Sequence, residues 1–170
     1  MSAVRGSKGE DNLKKKIIII LSVLVVLIGI VLLINQLPSK IYENPAIVSL
    51  PEYDRADCYY SDGFQDYTDF CKYYYDKQDN ILDEVKNSQY FKVIKPDDII
   101  EINKYFDNFE ERLEYVDYRD KYDFQRDIID TKDYFYIEND NMSEEHKYWD
   151  YDVYLFDVQT KTLYFIHSNI

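Results

Sequence analysis

Residues 17–34 read IIIILSVLVVLIGIVLLI, eighteen residues without a charge and with Ser22 as the single polar side chain. Wound as a helix at about 1.5 Å per residue, the run spans roughly 27 Å, close to the ~30 Å hydrocarbon thickness of a bilayer. Asn35 and Gln36 carry the helix into the headgroup region, so the sequence predicts a membrane span over 17–36. A buried core helix is normally broken by polar positions before it reaches this length. The apolar stretch of a cleaved signal peptide is about 7–15 residues long and ends at small residues. Here Asn35-Gln36-Leu37-Pro38 follows, and the reading is an uncleaved anchor.

The flanks orient that span. Arg5, Lys8, Lys14, Lys15 and Lys16 precede it, whereas Lys40 is the only basic residue between it and Arg55. Positive charge stays on the cytoplasmic side. The N-terminus is therefore expected in the cytoplasm and the remainder outside the cell membrane. Charge divides in the same way. The first 16 residues carry net +3, while the part after the span holds 15 basic and 31 acidic residues, net −16. All 19 tyrosines lie in that second part.

The division yields four segments: a basic cytoplasmic tail over 1–16, the span over 17–36, a linker over 37–52, and an acidic, tyrosine-rich domain over 53–170. Pro38, Pro45 and Pro51 suggest an extended linker, because proline removes a donor and restricts the residue before it. Within the domain, Phe64, Tyr67, Cys71 and Tyr74 recur at helical spacing, and Gln78, Ile81 and Val85 keep the register, which predicts a helix from about Gly63 to Lys86. Tyr90–Ile94 reads as a short strand. Pro96, Asp97 and Asp98 open a second helix, with Ile99, Ile102, Phe106, Phe109, Leu113 and Val116 as one apolar stripe. Tyr134–Ile137, Tyr151–Phe156 and Thr162–Ile166 read as strands, the last two forming a hairpin, and Phe124–Ile129 is a weaker strand candidate. Helices first and antiparallel strands later give an α+β class, with about two helices on a sheet of three to five strands.

Composition excludes several chemistries. Four glycines, Gly6, Gly9, Gly29 and Gly63, cannot supply a glycine-rich phosphate loop. The acidic balance argues against nucleic acid, whose affinity rests on neutralising phosphates. Two cysteines and two histidines show no zinc spacing, and no calcium-loop pattern occurs. No metal, cofactor or catalytic set is expected, and an enzyme is the weaker reading.

Cys58 and Cys71 stand on the side of the membrane where disulfides persist, and a bond between them would close a loop of about 14 residues. The alternative is two unpaired thiols, with Cys71 on the core face of the first helix. Tyrosine pairs a large apolar body with a polar tip and suits recognition surfaces. Tyr59, Tyr60, Tyr73, Tyr75, Tyr148 and Trp149 are the candidate binding residues, since neighbours such as Tyr59-Tyr60 cannot all face one core. The competing explanation is a coding bias of bacterial, AT-rich type. The expected function is a membrane-anchored binding module for a protein or cationic peptide. The alternative is an envelope hydrolase with paired carboxylates, which requires a cleft holding a carboxyl of raised pKa.

Overall fold

The computed structural model describes residues 44–61, 67–139, 143 and 146–169. Pro45–Ile170 form one compact unit of α+β class. In chain order its elements are α1 (Pro45–Val48), β1 (Arg55–Tyr59), β2 (Tyr67–Tyr74), α2 (Ile81–Asn87), β3 (Lys92–Val93), α3 (Pro96–Arg112), β4 (Tyr134–Asn139), β5 (Asp150–Asp157) and β6 (Thr162–Asn169). The strands make one antiparallel sheet in the order β1-β2-β6-β5-β4-β3, six strands rather than the three to five expected. The predicted span over 17–36 lies outside the described residues. Among those described, no helix is long and apolar enough to cross a membrane.

Alternation along the strands gives the sheet two distinct faces. One carries Tyr59, Phe70, Ile166, Val153, Leu155 and Phe135, which cluster with Ile102, Tyr105, Phe106 and Phe109 of α3 and with Leu113 just after it. The apolar stripe read from the sequence is the buried side of that helix, with Ile102, Phe106 and Phe109 almost fully enclosed. The helix starts where expected. Pro96 occupies its first turn, and the Lys95 backbone N–H donates to Asp98 Oδ2 at 2.9 Å. At its other end Arg112 donates to Ser168 Oγ on β6 and, at 2.6 Å, to the Tyr148 carbonyl, which ties the helix to the sheet.

The opposite face carries Tyr73, Leu163 and Phe156 on β2, β6 and β5, all fully buried. Tyr75 packs on Phe156 at 6.2 Å between ring centres, and Tyr53 packs on Tyr73 at 5.1 Å. Two features of this side differ from the sequence reading. The stretch expected as extended linker contains α1, with Ala46 and Leu50 buried and Ser49 Oγ 3.2 Å from Ser88 Oγ. The predicted helix from Gly63 is instead β2 from Tyr67, and only Ile81–Asn87 is helical. The sequence YTDFCKYY is rich in aromatic and β-branched residues, and both faces of β2 are buried, so no two-residue alternation shows. Its apparent helical stripe was a by-product of tyrosines on either face.

Smaller differences follow from tertiary packing. Phe124–Ile129 forms no strand; Arg126–Ile128 is a single 3₁₀ turn. Phe124 stacks on Phe106 at 4.4 Å, and Arg126 binds Glu110, Asp107 and Asn103 of α3. That segment belongs to the helical layer. Strand β3 shrinks to Lys92 and Val93, enough to pair with Phe135 and Tyr134.

Candidate functional site

The six aromatic candidates divide sharply. Tyr73 and Tyr75 are fully buried in the second core and offer no binding surface. This corrects their place in the expected binding face: both follow from the strand geometry of β2, which turns Tyr73 inward. Tyr59 lies on the helical face, between Phe70 at 6.3 Å and Tyr118 at 5.8 Å, and is only partly exposed. Tyr148 is half-buried edge-on against Tyr105 at 4.9 Å. Two candidates remain well exposed, Tyr60 at 42% and Trp149 at 46%. Register brings this pair to one end of the sheet. Tyr60 follows the last pair of β1, Tyr59 with Phe70, and Trp149 precedes the first pair of β5, Asp150 with Asn169.

At that end a polar row crosses four strands. Asp69 of β2 stands opposite His167 of β6, His167 opposite Asp152 of β5, and Asp152 opposite Glu138 of β4. All four lie on the face away from α3. His167 Nδ1 lies 2.6 Å from Asp152 Oδ1, and the Tyr154 hydroxyl donates to Asp152 Oδ2 at 3.0 Å. Asp69 Oδ1 accepts from the Ser61 backbone at 2.9 Å and from its hydroxyl at 3.3 Å. Aromatic rings flank the imidazole, Tyr67 at 6.3 Å and Phe165 at 6.5 Å.

Burial and charge act against each other in this row. Desolvation lowers the proton affinity of His167, but the Asp152 hydrogen bond and the charges of Asp152, Asp69 and Asp150 outweigh it, and the net shift is upward. Asp69 is also shifted upward, first by burial and then by the Asp152 charge, against the Ser61 hydrogen bonds. Among the described residues no three ligand-type side chains converge closely enough to hold a metal ion. Within the row, His167 and Asp152 form a direct contact between an imidazole and a carboxylate.

Compared with known proteins, the chain matches no protein-family model, no curated protein and no solved structure.

The next row along the same face contains the cysteines. Cys58 and Cys71 are directly opposite in the β1–β2 register, with Cα atoms 4.1 Å apart, and they are joined as a disulfide. That spacing suits a non-hydrogen-bonded antiparallel pair, where side chains approach most closely. Tyr60 Oη lies 3.7 Å from Cys71 Sγ, so the bond sits beneath an exposed ring. Neither sulfur is available as a nucleophile for His167 in this state.

Trp149 is presented by a tight turn. Its N–H donates to the His146 carbonyl at 3.0 Å, and its ring meets the His146 imidazole edge-on at 4.0 Å. Lys147 in the same turn is paired with Glu101 of α3. Together with the Arg112 bond to the Tyr148 carbonyl, this anchors the turn to the helical layer and leaves the indole outward.

A second acidic region lies at the other end of the sheet. A cleft of about 500 Å³ is lined by Asp127, Asp130, Asp133, Asp157 and Thr160 among others. Burial raises the Asp133 carboxyl to about 6. Asp133 Oδ1 accepts from the Val158 N–H at 2.9 Å, and Oδ2 from the Asp130 N–H at 3.3 Å. Asp157 accepts from the N–H groups of Gln159 and Thr160 and from the Thr160 hydroxyl. These bonds brace the β5–β6 turn, in which Lys161 takes a positive φ of 51°.

Proposed function

We propose that the chain is a single-pass membrane protein, anchored by a helix over 17–36 with its N-terminus in the cytoplasm, whose outer domain binds a cationic protein or peptide. The observation that supports this best is the pairing of two exposed aromatic rings, Tyr60 and Trp149, with the Asp69–His167–Asp152–Glu138 row at one end of the sheet. Aromatic rings with carboxylates nearby attract Lys and Arg through cation–π and charge contacts. The net −16 of the segment after the span adds a long-range field of the same sign.

The test uses the full-length protein in detergent micelles and a fluorescent Lys/Arg-rich peptide. Binding at low salt that weakens steeply as salt is added supports the reading, and W149A should weaken it further. Absence of binding at low salt, with an acidic peptide as control, removes it. Topology has its own check: a reporter fused after residue 169 should be accessible from outside intact cells.

The envelope-hydrolase alternative has one observation in its favour, the raised Asp133 carboxyl in a cleft with Asp157. Both carboxylates already accept backbone N–H bonds that hold turns, which suits bracing better than proton transfer. Hydrolysis of glycan or peptide substrates that disappears in D133N, with the fold intact, would reverse this ranking.

A further inference from the structure

The polar row is unbalanced in composition. Three carboxylates, Asp69, Asp152 and Glu138, share one face with a single imidazole placed between two of them. Directly opposed cross-strand side chains have Cβ atoms about 4.5–5.5 Å apart, so each neighbour feels a change in the other's charge. His167 lies on the central strand β6 and meets such a neighbour on both sides.

We propose that His167 is a proton-operated switch of the docking end, which binds its cationic partner more tightly once the imidazole has lost its proton. This rests on the reading of that end as a docking site for a cation and supplies its regulation. With His167 protonated, one positive charge stands within the row and opposes an incoming Lys or Arg. With His167 neutral, that charge is gone and the carboxylates act on the partner unopposed by it.

Among the described residues, the groups that strand register brings to the imidazole are consistent with this. From β2 come Tyr67 and Asp69, from β5 Asp150, Asp152 and Tyr154, and one strand further Glu138. Ser61 anchors Asp69 as a hydrogen-bond acceptor, and Tyr154 does the same for Asp152, so both carboxylates are held in place whichever state His167 adopts. Against its burial, the hydrogen bond and charge of Asp152 raise the proton affinity of His167, and the two lie 2.6 Å apart. On the side of α3, Arg112 donates to Ser168, Lys72 of β2 pairs with Asp123, and Lys147 pairs with Glu101.

The experiment measures peptide binding and His167 protonation on the same sample. Full-length protein in micelles, with isotope-labelled histidine, is titrated from about pH 5 to about pH 9, and the imidazole signal is assigned with H167Q. Affinity for the Lys/Arg-rich peptide should rise about three- to tenfold with a midpoint that coincides with the His167 titration. In H167Q the affinity should stay at one value across the range. Binding that persists with no change through the His167 titration overturns the switch and leaves the docking reading standing. No binding at any pH overturns both. Should H167Q fail to fold, H146Q supplies the assignment, coincidence of the two midpoints in the unaltered protein decides the matter, and separated midpoints count against the proposal.

Discussion

The two faces of the sheet use the same residue in opposite ways. On the face covered by α3, buried tyrosine hydroxyls find acceptors: Tyr151 donates to the Tyr105 carbonyl and to Asn108 Oδ1, both at 3.1 Å, Tyr122 to Glu110 at 2.8 Å, and Tyr118 to the Thr68 carbonyl. On the other face the hydroxyls of Tyr73 and Tyr75 are buried without a hydrogen-bond partner. Burial first, and then neighbouring phenol groups and, for Tyr73, the Asp152 carboxylate, push both far above the ordinary phenol range. A helix brings carbonyls and amide side chains near the rings that it covers. Around Tyr73 and Tyr75 the second core is made chiefly of rings and aliphatic chains, whereas Tyr154, nearer the polar row, donates to Asp152. The helical face therefore gives its tyrosine hydroxyls acceptors, and the other leaves those of Tyr73 and Tyr75 without one.

The largest expected effect tests the helical face. F109A, at the centre of the α3 contact, should destabilise the domain by about 3–5 kcal/mol in denaturant unfolding, through lost burial and a residual cavity. A cost below about 1 kcal/mol would show that this face is not the principal core. Next comes the cross-strand bond of the other face. Reduction, or a C58S/C71S double variant, should lower stability by about 3 kcal/mol, seen as a drop in Tm, if constraint of the unfolded chain dominates.

The third prediction sets the faces directly against each other. Y151F removes a hydroxyl with two acceptors and should cost about 1 kcal/mol. Y73F and Y75F remove hydroxyls with none and should be neutral or stabilising by up to about 1 kcal/mol. Equal costs on both faces would erase the distinction. The smallest effect concerns Asp133. Its carboxyl binds a proton more tightly when folded, at about 6, than when unfolded. Its contribution is thus most favourable below the unfolded carboxylate value and declines as pH rises through about 6. Unfolding midpoints of D133N should lose that part of the slope between about pH 4 and about pH 7.

Much of the helical face was legible in the sequence. The first four members of the stripe, Ile99, Ile102, Phe106 and Phe109, lie on one helix with a proline at its start, Leu113 and Val116 follow just beyond its end, and the final hairpin is present as β5 and β6. Strand β2 was not legible, because its tyrosines occupy both faces and happened to match helical spacing. The polar row was hidden for a different reason. Asp69, His167, Asp152 and Glu138 carry no local motif, and register alone brings them together. Tyr60 and Trp149 could be named as aromatic surface candidates, but only the strand pairing puts them at the same end. Tyr73 and Tyr75 were misplaced for the same reason as β2, since their direction depends on secondary structure that composition does not set.

The position of β6 has a consequence for how the chain is made. It follows every other strand in sequence yet lies between β2 and β5, where Phe70 and Val153 both pair with Ile166. The β1–β2 pair and the β4–β5 pair cannot join into one sheet until the final strand is inserted between them. During synthesis they must wait as separate ribbons with open edges, exposed to pairing with other chains. A stop codon before Thr162 would leave two half-sheets with no strand to join them, a product for quality-control proteases.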